Sequence, residues 1–259
     1  LFGKKVYEVD ASGRLLQEKQ VIPAVAGEDV FTSLDLSSQK VAYDELNNRR
    51  GAVVAVDIND GSIVTYVSSP SFSVNKIANG LTQNEFDELI NDDDKPFFDR
   101  AAQGRYSPAS TIKPAIGLFG IDKDILDWEY TIQDPGFFIL PEDGRIYRGW
   151  KKGGHGEINL KDAIIESSNT FFFSLAYQTE IEELRAHLSN FGFGKNVCDD
   201  CFMPDNGLLP SPRWKMNTHN FGWFKGDTVN VGVGQGYINA TPIQLAYYSA
   251  FIATKGNLN

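Results

Sequence analysis

The sequence predicts an α+β fold, in which antiparallel strands and helices pack around a common core. The strand signal is a β-hairpin at residues 51–67, where two apolar runs flank the turn sequence Asn59-Asp60-Gly61. The helix signal is a series of apolar stretches between residues 111 and 254, separated by two long irregular segments at 131–159 and 195–227. A chain of 259 residues is long enough to build a substantial core from these elements.

The charge balance of the chain is acidic, which excludes some classes of function. The net charge is −10 and the pI is near 4.8, whereas a nucleic-acid-binding surface would be basic. No apolar run reaches the roughly 18 residues of a membrane-spanning helix. Because the chain begins at Leu1 and stops just after an apparently helical run, we expect it to be a piece of a longer protein.

The first half of the chain carries local signals for single elements. Residues 1–27 look like the end of another segment, since glycines and a proline interrupt them. Thr82 and Glu85 have the spacing of a capping box, which predicts a short helix up to Ile90. The remaining predictions here are a strand at 30–34, a helix at 35–48 and a loop at 68–76.

The helices of the second half are predicted from apolar runs and from the residues that flank them. Thr241 followed by Pro242 is a typical helix start, because a capping side chain precedes a proline in the first helical position. The predicted helices cover residues 111–121, 160–166, 169–175, 180–190 and 241–254, and both long segments between them are predicted to be loops.

One predicted helix start brings a serine and a lysine together. Ser110 and Lys113 are three residues apart, so they share one face of a helix. Pro114 is tolerated only near the first turn, which places Ser110 at or beside the helix N-terminus. Free backbone N–H groups favour negative charge there, and a serine beside an amine is a candidate activated nucleophile.

The pattern Ser-x-x-Lys also begins at Ser37 and at Ser73, so a second feature must choose among the three. That feature is Ser167-Ser168-Asn169, at a break between two predicted helices. Ser-x-x-Lys followed by Ser-x-Asn is typical of serine β-lactamases and penicillin-binding proteins. Acyl transfer needs a nucleophile, a base and an acid for the leaving amine, and a lysine acts as the base only where its surroundings lower its pKa.

Cys198 and Cys201 are the only cysteines, in the sequence Cys-Asp-Asp-Cys. A metal or redox role is the less favoured interpretation, because no second Cys-x-x-Cys occurs and the nearest histidines, His187 and His219, lie at irregular spacing. A local disulfide and a pair of free thiols in a surface loop both remain open.

The sequence around these motifs resembles the transpeptidase domain of class B penicillin-binding proteins, over nearly the whole chain. The approach to the nucleophile, from Pro96 to Pro114, carries the resemblance first. Further similar stretches lie at residues 7–14, 50–57, 68–72, 150–156 and 226–244. The last two of these resemble the penicillin-binding protein 2 branch, which consists of elongation-type peptidoglycan D,D-transpeptidases.

The resemblance implies a penicillin-binding and serine β-lactamase-like transpeptidase fold, with an antiparallel sheet flanked by helices and an all-helical subdomain. It implies that residues 1–27 end a pedestal or linker segment and that residues 28–259 form the transpeptidase domain. The third motif of the family, Lys-Ser-Gly or Lys-Thr-Gly, does not occur in the sequence. We therefore expect the domain to be truncated before that motif, and the chain alone to be inactive.

The resemblance also implies roles for individual residues. Ser110 would be the nucleophile that is acylated during peptide cross-linking in cell-wall elongation and by β-lactam antibiotics, and Lys113 would be its base. Ser167 and Asn169 would form the second catalytic motif. The implied substrate-binding residues are Ser168, Gln235 and Gly236.

Relatives of this branch add expectations about metals, partners and location. Some hold a zinc ion through two aspartates, a histidine and a cysteine. Asp134 and His155 match two of these positions, but Gly149 and Ser168 stand at the other two, so no metal or other cofactor is expected. The implied partners are peptidoglycan stem peptides, β-lactams and a membrane glycosyltransferase of the SEDS type, without nucleic acid. The implied location is the periplasmic face of the bacterial inner membrane, with an N-terminal anchor outside this chain.

Two alternative functions remain open. One is a β-lactamase-like hydrolase of the same fold, although a compact β-lactamase would reach its third motif within this length. The other is a non-catalytic, penicillin-recognising binding or scaffold module. The intact set Ser110, Lys113, Ser167 and Asn169 argues against a degenerate site.

Overall fold

The computed structural model describes residues 2–258 and divides into two compact units, one ending at Ser33 and one beginning at Leu34. This division lies a few residues beyond the boundary predicted at 27/28. Helices and antiparallel strands both occur, which confirms the α+β class, and the described strands form four separate two-stranded pairs. Within the described part of the chain, no helix is long and apolar enough to cross a membrane.

The first unit contains a hairpin of β1 (Lys4–Val9) and β2 (Leu15–Ile22). Its turn is organised by Asp10, whose carboxylate accepts hydrogen bonds from the backbone N–H groups of Ser12 at 2.8 Å and Arg14 at 2.9 Å. The sequence does not predict these strands. Nearly every residue in them is exposed, so they lack the alternation of buried and exposed positions by which a strand is recognised.

The second unit begins with helix α1 (Leu36–Leu46), followed by the hairpin of β3 (Gly51–Val56) and β4 (Ile63–Ser69). The predicted helix and hairpin are both confirmed. The side chain of Gln39 accepts the Tyr66 backbone N–H at 2.8 Å and donates to its carbonyl at 2.6 Å, so α1 satisfies backbone groups of β4. The predicted strand at 30–34 is wrong, because these residues join no strand in the described chain.

Two short helices, α2 (Val74–Asn79) and α3 (Gln83–Asn91), follow the hairpin. The capping box of Thr82 and Glu85 is confirmed at the start of α3. The predicted loop is wrong over α2, whose N-cap is Ser73, accepting the backbone N–H of Lys76 at 3.3 Å. Ser73 therefore acts as a helix cap, which explains this copy of the Ser-x-x-Lys pattern.

The segment at 131–159, predicted to be a loop, contains four short strands: β5 (Thr131–Asp134), β6 (Phe137–Ile139), β7 (Ile146–Arg148) and β8 (Gly156–Asn159). β6 pairs with β7 inside the pair of β5 and β8, so the segment is a nested double hairpin. Strands of three or four residues are too short to show a hydrophobic period, which is why the sequence does not reveal them.

Seven helices complete the second unit in the described chain: α4 (Lys113–Asp122), α5 (Leu160–Ile165), α6 (Asn169–Tyr177), α7 (Ile181–Asn190), α8 (Pro212–His219), α9 (Lys225–Val231) and α10 (Pro242–Ala253). The predicted helices correspond to α4, α5, α6, α7 and α10. Helix α8 lies within the predicted loop at 195–227, and α9 begins inside that loop and ends beyond it, where the sequence predicts no helix. Helices α4 and α6 are apolar over most of their surface and form the centre of the core, where Ile116, Phe119 and Phe172 are fully or almost fully buried. Helices α4 and α6 contact each other, and their N-terminal ends lie close together, since Lys113 and Asn169, the first residues of the two helices, are hydrogen-bonded.

The two cysteines form a disulfide, Cys198–Cys201, so the local disulfide is the correct one of the two interpretations left open. The loop that contains it is fixed to α10 by Gln244, which is almost fully buried. The amide of Gln244 donates to the carbonyls of Gly192, Lys195 and Asn206 at 3.2, 2.9 and 2.8 Å.

Helices α8 and α9 are joined by a buried ion pair. The Nζ atom of Lys215 lies 2.6 Å from Oδ2 of Asp227, and the Lys215 side chain is only 5% exposed. The same ammonium group lies 4.5 Å from the ring centroid of Phe224 and 5.6 Å from that of Tyr237. The sequence cannot reveal this pair, because its stability depends on burial and not on spacing.

We predict that Asp227→Asn destabilises the protein by about 3–5 kcal/mol, because it leaves the buried Lys215 ammonium without its counter-charge. The free energy of unfolding is measured by chemical denaturation. Asp44→Asn is the matched control, since it removes an exposed i,i+4 pair with Lys40 and should cost far less. Equal losses in the two variants would contradict this account of the buried pair.

Candidate active site

Ser110 lies in a short 3₁₀ turn, Ala109–Ile112, that leads directly into α4. Its side chain is exposed, whereas Lys113, the first residue of α4, is 1% exposed. The turn is closed by Thr111, whose hydroxyl donates to the carbonyl of Pro108 at 2.6 Å. The helix start predicted at Ser110 is confirmed, and it presents the serine to solvent while the lysine enters the core.

The second motif is the turn between α5 and α6. Ser168 is the N-cap of α6 and accepts the backbone N–H of Phe171 at 3.2 Å. Ser167, one residue earlier, has a left-handed backbone with φ of +53°. A serine rarely adopts this conformation unless the surrounding structure imposes it.

The Lys113 ammonium is held by this turn. Its Nζ atom donates to the Ser167 carbonyl at 2.8 Å, to Ser167 Oγ at 3.1 Å and to Asn169 Oδ1 at 2.7 Å. The ring of Phe172 also packs against the ammonium group, with its centroid 5.4 Å from Nζ. The three N–H groups of the ammonium therefore donate to three acceptor atoms, two on Ser167 and one on Asn169.

Ser167 also contacts the nucleophile candidate, since its Oγ lies 2.8 Å from Ser110 Oγ. The four residues predicted to be catalytic are thus brought together, and Ser167 lies between Ser110 and Lys113. Each hydroxyl both donates and accepts, so this path can carry a proton from Ser110 to the amine. The spacing of Ser110 and Lys113 suggests that they meet directly, and the intervening hydroxyl could not be predicted from it.

Burial lowers the pKa of Lys113 to about 8. At neutral pH a useful fraction of the side chain is then the free amine, whose lone pair accepts a proton. A free amine has two N–H groups and one lone pair, so it donates to only two acceptors. In the third contact the direction then reverses, and the Ser167 hydroxyl donates to Nζ. The arrangement is suited to a serine nucleophile with a lysine base.

The turn Ala109–Ile112, which contains Ser110 and is called the nucleophile turn below, is also held by the loop after α9. The Gly234 carbonyl accepts the Ala109 backbone N–H at 2.8 Å and the Ser107 hydroxyl at 2.6 Å. A Cβ atom at position 234 would lie 2.1 Å from the Ala109 carbonyl oxygen, so only glycine allows this approach. Gly234 is not among the site residues predicted from the sequence, although the alternation of glycines in Gly232-Val233-Gly234-Gln235-Gly236 is a signal that points to it.

The three predicted substrate-binding residues lie in two different settings. Gln235 and Gly236 are exposed, next to the glycine that contacts the nucleophile turn, and stay predicted substrate contacts. Ser168 is fully buried, with its hydroxyl donating to Asp134 Oδ2 at 2.8 Å. A buried side chain with both partners inside the protein is not placed to touch a substrate, so we do not retain Ser168 as a substrate contact.

Asp134 and His155, which match two positions of the family's zinc site, contact each other directly. Nδ1 of His155 lies 2.7 Å from Asp134 Oδ2. Burial raises the pKa of Asp134, but hydrogen bonds from His155, Ser168 and the Gly136 backbone outweigh it and lower the pKa overall. Among the described residues, no group of three or more His, Cys, Asp or Glu side chains is placed to hold a metal ion. A structural zinc site needs four such donors, so these residues do not fit zinc.

Comparison with known proteins identifies the family. The chain matches the penicillin binding protein transpeptidase domain over residues 51–259. It is 41% identical to the peptidoglycan D,D-transpeptidase MrdA of Acinetobacter baumannii, over 98% of this chain and 38% of that protein. The chain therefore spans well under half of this curated relative.

Solved structures share the fold. Pseudomonas aeruginosa PBP2, in complex with WCK 5153, superposes with a TM-score of 0.85 at 39% identity, over 89% of this chain and 50% of that one. Helicobacter pylori PBP2, in complex with MreC, gives a TM-score of 0.84 at 32% identity, over 98% of this chain and 47% of that one. The chain therefore belongs to the penicillin-binding protein transpeptidase family.

Proposed function

We propose that the chain is the catalytic part of a peptidoglycan D,D-transpeptidase, which cross-links stem peptides during cell-wall elongation and is inhibited covalently by β-lactams. The observation that carries the proposal is the continuous hydrogen-bonded path from Ser110 Oγ through Ser167 Oγ to Lys113 Nζ. The activity printed in the name of the Acinetobacter relative supports it.

In the proposed acylation step, Ser110 Oγ attacks the carbonyl carbon of the D-Ala–D-Ala peptide bond. The proton leaves Oγ through the Ser167 hydroxyl and arrives on Lys113 Nζ. When the tetrahedral intermediate collapses, the C–N bond breaks and the leaving D-alanine amine takes the proton back by the same path. Asn169 orients the lysine through Oδ1 and has its NH₂ group as a donor for a substrate amide.

The ester on Ser110 then meets a second stem peptide. The amine of this second peptide attacks the acyl carbon, and the ester C–O bond breaks. Ser110 Oγ regains a proton from the attacking amine through Lys113 and Ser167. A β-lactam forms the same ester, but its leaving nitrogen stays tethered to the acyl group by the opened ring. It continues to occupy the place of the acceptor amine, so the acyl-enzyme persists.

The domain organisation and the cellular setting follow from the same proposal. Residues 28–259 belong to the transpeptidase domain, whose compact unit begins at Leu34, and residues 1–27 belong to a pedestal or linker segment. The Cys198–Cys201 disulfide supports the periplasmic face of the inner membrane, because disulfides persist in oxidising compartments. We further propose a membrane glycosyltransferase of the SEDS type as the partner that supplies glycan strands for cross-linking.

The direct test labels the full-length protein with fluorescent penicillin. We expect stoichiometric, long-lived labelling that is lost in Ser110→Ala, because the ester oxygen is removed. Ser37→Ala is the matched control, since Ser37 begins another Ser-x-x-Lys pattern but bonds only to the helix cap Asp35, and it should label normally.

Three outcomes would contradict the proposal. A label that survives Ser110→Ala would refute the site. Rapid release of hydrolysed antibiotic would indicate a β-lactamase-like hydrolase. A wild-type protein that takes no covalent label would indicate a non-catalytic module.

The acylation rate should rise with pH and level off, with a midpoint near pH 8. The sign follows from the base: Lys113 is protonated and inactive below its pKa of about 8, and is a free amine above it. Stopped-flow acylation of the full-length protein between pH 6 and pH 10 measures the profile. Lys113→Arg should be slow and without this rise, because arginine stays protonated throughout. A flat wild-type profile would argue against Lys113 as the base.

Gly234→Ala should slow acylation by on the order of 100-fold, because the added methyl group displaces Ala109 and with it Ser110. The second-order rate constant for labelling by penicillin measures the effect. Gly222→Ala is the control, since a Cβ atom there meets nothing within 4 Å, and its rate should match the wild type. Similar rates in the two variants would show that the approach of Gly234 does not fix the nucleophile.

A further inference from the structure

The nested hairpins at 131–159 contact the turn between α5 and α6, which contains the second motif. This segment includes the sequence Lys151-Lys152-Gly153-Gly154-His155-Gly156, to which the reaction described above gives no role. Two side chains of the segment, those of Asp134 and Trp150, form hydrogen bonds with the residues on either side of Ser167. The segment therefore supports the turn that binds Lys113.

The first support is a buried carboxylate. Asp134, at the end of β5, is 3% exposed, and its Oδ2 accepts from both Ser168 Oγ at 2.8 Å and His155 Nδ1 at 2.7 Å. Its other oxygen accepts the Gly136 backbone N–H at 2.7 Å. Because Ser168 also caps α6, Asp134 fixes the residue that separates Ser167 from Asn169.

Glycines bring His155 to this carboxylate. Gly154 has a φ of +73°, and a Cβ atom there would lie 2.0 Å from the Asp134 carbonyl oxygen. The loop therefore lies directly against the backbone of β5, and the following residue, His155, points its ring at the Asp134 side chain. Its side chain is 6% exposed, so water does not compete for the contact.

The second support comes from Trp150. Its indole N–H donates to the Glu166 carbonyl at 3.0 Å, and its ring packs edge-on to His155, with centroids 5.6 Å apart. Glu166 directly precedes Ser167. Ser167, whose backbone is left-handed, is thus held on both sides. Trp150 acts on it through Glu166, and Asp134 acts on it through Ser168.

We propose that Asp134 and His155 are a positioning pair for catalysis, which holds the Ser167-Ser168-Asn169 turn by direct hydrogen bonds and without a metal ion. The inference rests on the proposed function, because it assigns the pair a part in acylation. The pair touches neither the nucleophile nor the amine. It acts through Ser168, by keeping Ser167 in the left-handed conformation that aims its carbonyl and its hydroxyl at Lys113.

The metal-free character follows from the donors. Oδ2 of Asp134 already accepts two hydrogen bonds, and the His155 nitrogen that faces it is at hydrogen-bond distance. Gly149 has no side chain to offer, and a serine hydroxyl is a poor zinc ligand compared with a thiolate. Ser168 therefore completes with hydrogen bonds a site that a cysteine would complete with zinc.

The test uses the full-length protein and the variants Asp134→Asn and Ser168→Ala. Each should slow acylation by penicillin roughly 10- to 100-fold, because the turn loses its alignment with Lys113. The double variant should be no slower than Ser168→Ala alone, since that variant already removes the hydroxyl through which Asp134 holds the turn. The midpoint of the pH–acylation profile should also move upward, because a loosened turn lets water reach the Lys113 amine and weakens the burial that lowers its pKa.

Glu157→Gln is the matched control, since it makes the same carboxylate-to-amide change on neighbouring β8, where Glu157 only accepts from Thr131. It should leave both the rate and the pH midpoint unchanged. A purely structural role would lower the thermal unfolding temperature of Asp134→Asn while leaving the rate per titrated active site and the pH midpoint at wild-type values. That result would overturn the proposal.

Two measurements do not depend on acylation. The His155 Nδ1–H proton should give a low-field NMR resonance that disappears in Asp134→Asn, and the purified protein should contain no stoichiometric zinc. Stoichiometric zinc that is lost in His155→Ala would overturn the proposal, and so would an unaltered resonance. If the wild type takes no label but the resonance behaves as expected, the proposed function fails while the direct pair stands, although its part in catalysis is then refuted.

Discussion

The site depends on the burial of one amine. Lys113 opens an apolar helix in the centre of the core, and water is excluded from its Nζ atom. A buried ammonium group is costly unless hydrogen-bond acceptors surround it, and all three of its acceptors come from the turn between α5 and α6. The same burial lowers its pKa into the range where a base is useful. The buried Lys113 amine thus joins α4 to the start of α6 and has a pKa that suits a base.

This requirement explains why the rest of the molecule fixes two turns so firmly. The nucleophile turn is held near the start of α10, because Tyr106 is bridged to Ala240, and Gly234 lies against Ala109. The second-motif turn is held by the hairpin segment through Asp134 and Ser168. A hydroxyl-to-hydroxyl distance of 2.8 Å between Ser110 and Ser167 is the result of these separate constraints. Neither turn could be displaced by 1 Å without breaking the path between them.

The predictable parts of the site are those with local signals. Pro114 marks the start of α4, and the break at Ser167-Ser168-Asn169 marks the start of α6, so the residues at both helix starts could be selected from the sequence. Capping pairs such as Thr82 with Glu85 were predictable for the same reason. The resemblance to penicillin-binding proteins then joined the two motifs, which are 57 positions apart.

The parts that could not be predicted depend on contacts between distant residues. Asp134 and Ser168 are 34 positions apart and meet only because β5 pairs with β8, and both strands are too short to be recognised. The ion pair of Lys215 and Asp227 lies in a segment whose composition indicates a loop. Ser168 shows the limit most clearly, since family resemblance suggested a substrate contact and burial gives it a supporting position.

The two adjacent serines of the second motif show how one turn both contacts Lys113 and is held in place by buried residues. The φ of +53° at Ser167 turns its hydroxyl and its carbonyl toward Lys113, while Ser168 enters the interior as the cap of α6. The hydroxyl of Ser167 faces Ser110 and Lys113, as the proposed proton transfer requires, whereas that of Ser168 is committed to Asp134 and Phe171. The buried Ser168 therefore holds the shape of the turn, which leaves the neighbouring Ser167 hydroxyl available for the proposed proton transfer.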